Sequence, residues 1–126
     1  MYKRTYEKRN GKIRNHIVVD FVRDEEGVLA AFLSSETHNF ASHIVEALDD
    51  VLSGRKKEIY FSGNMVACEG NAEEVEVYYN YMEEELGPSV FMPTAKLKEL
   101  VDEWIEMEDK FKKGQLDGKL PLVIED

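Results

Sequence analysis

Cysteine is nearly absent from this sequence, and long apolar runs are absent altogether. The single cysteine, Cys68, excludes an internal disulfide framework and is typical of a protein in a reducing compartment. No stretch approaches the roughly 20 apolar residues that a membrane-spanning helix needs. The basic residues 1–6 are followed by no apolar run, so we expect no secretion signal. These absences predict a cytoplasmic protein that does not enter a membrane.

Cations are scarce over most of the chain. Residues 1–23 hold seven Lys and Arg against two acids, whereas residues 24–109 hold five against 21, and the net charge is −10. Contacts with phosphates require cations, so we expect no direct binding of nucleic acid over most of this surface. A strongly acidic surface would instead attract a basic protein at long range, although solubility alone also explains the acidity.

The length and composition favour one folded domain. A chain of 126 residues with 43% hydrophobic residues is long and apolar enough to bury a core. We expect a single domain over 1–126, with its core in about 12–112. Residues 114–126 are predicted to be a loose tail, with an edge strand at 120–124 as the alternative.

The first third of the sequence has the pattern of an antiparallel meander. Asn10-Gly11 accepts the positive φ angles of a type I′ turn and follows a polar, weakly strand-like segment at 2–9. Residues 12–23 are rich in β-branched side chains and predict a long strand. After a short connection, residues 28–33 are predicted to return as a third strand.

An amphipathic helix is predicted next, with Thr37 or Asn39 as its N-cap and Gly54 as its left-handed exit residue. Its apolar side chains recur at helical spacing and form one stripe. The stripe consists of Phe40, Ile44, Ala47, Leu48 and Val51.

The rest of the chain predicts a hairpin, another strand and a second helix. The hairpin turns at Gly63-Asn64, residues 74–81 alternate between apolar and polar, and Pro93-Thr94 begins a helix that ends at Gly114. The fold class is therefore α+β: an antiparallel sheet of five to six strands with two helices packed on one face.

No recognisable catalytic or metal-binding signature is present. His43 shares a helix face with two acids but has no second histidine at ligand spacing, and Cys68 lies in an apolar strand typical of an inert thiol. The glycines are isolated and form no phosphate-binding loop. We expect no metal, no cofactor and no enzymatic activity, with a small hydrolase using carboxylates or His43 as an alternative.

Acids and tyrosines are concentrated in the second half of the predicted sheet. Tyrosine is favoured at protein interfaces because it offers a large, rigid contact area with a polar tip. The alternative is that Tyr79 and Tyr81 lie in the core and Tyr78 alone is exposed. The predicted partner-binding residues are Glu69, Glu73, Glu74, Glu76, Tyr78, Glu83, Glu84 and Glu85.

Three consecutive blocks, at 40–54, 58–64 and 70–77, resemble a known group of bacterial proteins. They consist of a helix that ends at a glycine, a hairpin with Ser62-Gly63-Asn64, and a Gly-Asn-Ala-Glu-Glu-Val bend into a strand. In this order they are similar to small YacL-type proteins and to the related immunity proteins of contact-dependent growth inhibition systems. The resemblance implies a non-enzymatic protein that binds and neutralises a cognate toxin, commonly a nuclease.

We therefore expect an immunity protein, a monomer or weak dimer, whose partner is a basic, nuclease-like toxin domain. The alternative from another class is a housekeeping accessory protein without a toxin partner.

Overall fold

Two antiparallel sheets and two long helices build the α+β fold, as the fold class predicted. The computed structural model describes residues 2–80 and 87–126. The strands divide between two sheets, where the sequence predicted a single sheet. One sheet has the order β2-β1-β7 and the other the order β3-β4-β5-β6. The strands are β1 (Arg4–Arg9), β2 (His16–Phe21), β3 (Ile59–Ser62), β4 (Val66–Gly70), β5 (Glu74–Tyr79), β6 (Val90–Pro93) and β7 (Leu122–Ile124).

The first hairpin is present, but its loop is longer than predicted. The segment at 2–9 forms a true strand, and β1 pairs with β2 from Arg4 opposite Phe21 to Arg9 opposite His16. Residues 10–15 therefore form the connection, so the prediction of a tight turn at Asn10-Gly11 leading directly into a strand at 12–23 is wrong. Ile13 in this loop is 98% exposed, so burial of its side chain does not stabilise a strand at this point of the β-branched run.

The third predicted strand, at 28–33, is wrong because this segment is helical. A short 3₁₀ turn (Asp24–Glu26) leads into α1 (Gly27–Ala31), a π-helical turn (Phe32–Thr37) and α2 (His38–Leu52). The run is helical throughout except for a kink at Phe40, whose φ and ψ are −131° and 32°. Neither Thr37 nor Asn39 acts as an N-cap, because their side chains donate to the preceding carbonyls of Phe32 and Ser35. The buried side chains of the run recur at helical spacing and face the core. They are Val28, Leu29, Phe32, Leu33, Glu36 and Thr37.

The predicted stripe of α2 faces the core, most fully at Ile44, Leu48 and Val51. Gly54 has a φ of 83° and ends the helix as expected. The hairpin of β3 and β4 follows, with Ile59 opposite Gly70. Helix α2 and the hairpin of β3 and β4 therefore lie where the sequence predicted a helix and a hairpin.

The last helix, α3 (Thr94–Lys112), begins and ends where predicted and covers the core with its apolar face. Trp104 is 1% exposed and stacks on Tyr6, with ring centroids 6.2 Å apart. The Arg4 guanidinium joins β1 to this helix, since its Nε and Nη2 donate to the two Glu103 carboxylate oxygens at 2.7 and 2.6 Å. Buried side chains from both sheets and the helices belong to one hydrophobic cluster.

The prediction of a loose tail at 114–126 is wrong for its last part. Leu122–Ile124 pairs with β1 as an edge strand, which was the alternative, and Leu116 is buried. The Asp126 carboxylate contacts Arg4 and Lys96, and these hydrogen bonds hold its pKa below the usual range. Over the described ranges, no helix is both long and apolar enough to cross a membrane.

Candidate partner-binding surface

The outer face of the four-stranded sheet, which we call the acidic sheet face, combines acids with exposed aromatic rings. Strand register sets Tyr60 opposite Glu69, Glu69 opposite Glu76, and Glu76 opposite Phe91. Cross-strand partners lie side by side on one face, so these four residues form a row across all four strands. Tyr60 is 66% exposed and Phe91 is 62% exposed. The row therefore presents two aromatic side chains to solvent, with two carboxylates between them.

A third aromatic side chain borders this row. Tyr78 lies on the same face of β5 as Glu76 and is half-buried. Burial and the negative charge of the nearby Glu69 carboxylate raise the pKa of Tyr78 to about 12, so its hydroxyl stays neutral at physiological pH. Glu76 accepts a hydrogen bond from the Ser89 hydroxyl at 2.8 Å, which holds this carboxylate in place. The centre of the face is thus partly ordered before any partner binds.

Alternation along β5 separates the acidic sheet face from the core. Val75 and Val77 point inward and are buried, and Tyr79 packs against the core from the same side. Tyr79 is therefore a core-facing residue, as the alternative interpretation of the tyrosines held. Tyr81 lies outside the described residues.

The remaining predicted site residues surround the sheet or lie outside the described residues. Glu74 is exposed at the start of β5, and Glu73 is exposed in the bend before it. Asn71 shapes this bend because its Oδ1 accepts hydrogen bonds from the backbone N–H groups of Glu73 and Glu74 at 2.9 and 3.1 Å. Glu83, Glu84 and Glu85 lie outside the described residues.

Sequence reasoning missed the two most exposed aromatic residues of this face. Tyr60 belongs to the predicted hairpin, and the alternation of Ile59, Tyr60 and Phe61 was a usable signal that Tyr60 faces away from the core. Phe91 was missed because β6 is only four residues long and precedes a helix directly, so no strand was predicted there.

One histidine–carboxylate pair is present in the described parts of the chain, His38 Nδ1 with Glu108 Oε2, and it involves neither of the residues that the sequence singled out. Cys68 is fully buried, and burial raises the pKa of its thiol to about 12, which suppresses the reactive thiolate. His43 is exposed on α2. Among the described residues, no group of three or more His, Cys, Asp or Glu side chains converges to hold a metal ion.

Comparison with known proteins gives one informative similarity. The chain is 27% identical over 88 residues to a Bacillus cereus protein named "Immunity protein", an alignment that spans 70% of this chain and 75% of that protein. No protein-family model matches the chain. No solved structure matches it significantly. The similarity agrees with the immunity-protein part of the resemblance seen in the sequence and does not confirm its YacL-type part.

Proposed function

We propose that this chain is an immunity protein that binds and neutralises a toxin domain through the acidic sheet face. The similarity to a protein named "Immunity protein" supports the class, and the row Tyr60–Glu69–Glu76–Phe91 is the observation on which the surface rests. The partner is a basic domain, as expected of a nuclease from a contact-dependent growth inhibition or related toxin system. The protein acts by occlusion, without transforming a substrate.

The composition of the face supports a basic partner. Strands β3 to β6 contain no Lys or Arg, so no cation of these strands offsets Glu69, Glu74 and Glu76. A nuclease must attract phosphate with its own cations, and such a site is complementary to a carboxylate-rich face. The exposed rings of Tyr60 and Phe91 supply the apolar contact that sets how slowly the complex dissociates.

The size of the face indicates that neighbouring segments join the contact. Four strands about 4.8 Å apart, each exposing about 15 Å of its length, form a face of roughly 300 Å². A stable protein interface uses about 800 Å² on each partner. We therefore extend the proposed interface to Glu73 and to Glu83, Glu84 and Glu85, which follow β5 in the chain.

Protection of cells from a toxin tests the proposal directly. An immunity gene is expected to follow its toxin gene, so the domain that the gene immediately upstream encodes is expressed in a susceptible host, with or without this chain, and growth is measured. We expect growth only when the chain is present. We expect the double variant Tyr60→Ala/Phe91→Ala to bind the purified domain at least tenfold more weakly, because central aromatic residues each contribute about 2 kcal/mol or more to such interfaces.

Two other exposed apolar residues provide a matched control. Ile13 and Val123 are 98% and 54% exposed and lie in the first hairpin and in β7, away from the acidic sheet face. The variant Ile13→Ala/Val123→Ala should bind and protect like the wild type. If the wild-type chain neither protects nor binds, the immunity function is refuted. If the two double variants bind equally well, only the assignment of the acidic sheet face as the interface is refuted.

A further inference from the structure

A cavity of about 570 Å³ lies on another part of the molecule, between β2, the π-helical turn and α3. This volume is within the range of about 300–1,000 Å³ that is usual for small-molecule sites. None of the predicted partner-binding residues lines it. The cavity is therefore separate from the proposed toxin surface.

Two buried polar atoms of residues lining this cavity have no hydrogen-bond partner among the described residues. They are the indole Nε1 of Trp104, a side chain that is 1% exposed, and the hydroxyl oxygen of Ser34. Buried polar groups in native proteins nearly always have a partner. Ser34 lies in the π-helical turn, a widened form of helix that is frequent at functional sites. Because solvent does not reach either atom, the groups that could hold a ligand must come from the exposed side chains of the wall.

Cations dominate the charge of the cavity wall. Arg9, Arg14 and Lys112 line it, and none of the three forms a salt bridge with a carboxylate in the described parts of the chain. Glu108 also lines the cavity, but its Oε2 contacts the Nδ1 of His38, so this carboxylate is already engaged. Among the described residues, the Arg and Lys side chains of the wall thus carry no ion pair while its carboxylate does, and this charge balance suits an oxyanion.

The rest of the wall is apolar and aromatic. Ile17, Trp104 and Phe111 contribute to it beside the cations. We propose that this cavity binds a small organic anion, with a phosphate or carboxylate group held by Arg9 and Arg14, and an apolar or aromatic body against Phe111. A ligand site of this kind goes beyond the proposed immunity function and does not depend on it.

Trp104 reports directly on this site because it is the only tryptophan in the chain. We would titrate the purified protein with phenyl phosphate, benzoate and inorganic phosphate, following tryptophan fluorescence and the NMR resonance of the indole N–H. We expect phenyl phosphate or benzoate to move both signals saturably, and the stronger of the two identifies the head group. Inorganic phosphate should bind more weakly, since it lacks the apolar body.

A matched pair of variants separates a specific site from general charge attraction. Arg9→Gln/Arg14→Gln should weaken binding at least tenfold, because each guanidinium donates charge-assisted hydrogen bonds. Lys57→Gln/Lys119→Gln removes the same charge at exposed positions that do not line the cavity and should leave binding unchanged. No saturable response to any of the three probes, or equal weakening by both pairs, would overturn the proposal.

Discussion

A single buried carboxylate organises the junction between the helical segment and the second sheet. Glu36 is fully buried in the π-helical turn, and its two oxygens accept hydrogen bonds from the backbone N–H groups of Asn64, Met65 and Val66 at 3.0, 2.8 and 2.6 Å. Asn64 and Met65 belong to the turn between β3 and β4, and Val66 is the first residue of β4. Gly63 is required beside them, because a Cβ there would collide with the Glu36 carboxylate. The turn is thus shaped by a helix residue.

Replacing this carboxylate tests its structural role. Glu36→Gln preserves the length of the side chain, but its NH₂ group must then face at least one of the three N–H donors. We expect the free energy of unfolding to fall by about 2 kcal/mol, the usual range for a lost hydrogen bond to a charged group. Urea unfolding followed by tryptophan fluorescence measures this loss. Glu58→Gln, at an exposed position just before β3, is the control and should change stability little; similar losses in both variants would contradict the assignment.

The contribution of Glu36 is not visible in the sequence, because its partners are 28 to 30 residues further along the chain. Sequence patterns report local periodicity, whereas this interaction depends on tertiary approach. The same limit applies to the cavity. Trp104 and Ser34 line one cavity only because α3 packs beside the π-helical turn.

Among the secondary-structure elements, the segment at 28–33 shows why one prediction failed while those of the longer helices succeeded. An apolar run of six residues fits a buried strand and a buried helix equally well by periodicity. The structure continues the buried positions at helical spacing through Glu36 and Thr37, but both residues are polar and their burial is not visible in the sequence. Ala30 and Ala31 favour helix. Long periodic segments such as α2 and α3 were predicted correctly because they carry helical spacing over several turns.

Two glycine substitutions test whether the segment that begins at Gly27 is helical or is the short connection and strand predicted from the sequence. Gly27 begins α1, its φ is not positive, and a Cβ there meets open space, so Gly27→Ala should stabilise the protein by about 0.5–1 kcal/mol. Gly54 also meets open space but has a φ of 83°, so Gly54→Ala should destabilise it by about 1 kcal/mol. Thermal unfolding of both variants measures the difference. A destabilising Gly27→Ala would favour the turn and strand that the sequence indicated.

The whole molecule has a marked separation of charge along the chain. The first 23 residues, which include β1 and β2, carry a large excess of Lys and Arg, whereas strands β3 to β6 carry acids and no cation. The proposed anion site accordingly belongs to the basic hairpin, and the proposed toxin surface belongs to the acidic sheet face. The isoelectric point of about 4.8 therefore averages over two surfaces, one that would bind anions and one that would bind a basic protein.

The position of the acids, and not only their number, should control the rate of toxin association. Glu69→Lys/Glu74→Lys reverses two carboxylates on the acidic sheet face, and we expect association to slow by on the order of tenfold at low salt, because complementary fields steer the encounter. Salt screens charges over about 10 Å at 0.1 M, so the difference should shrink at high salt. Glu7→Lys/Glu46→Lys makes the same change in net charge at exposed positions on β1 and α2. Stopped-flow mixing with the purified toxin domain measures both rates; equal slowing by the two pairs would mean that net charge alone attracts the partner and that the sheet face has no special part in the encounter.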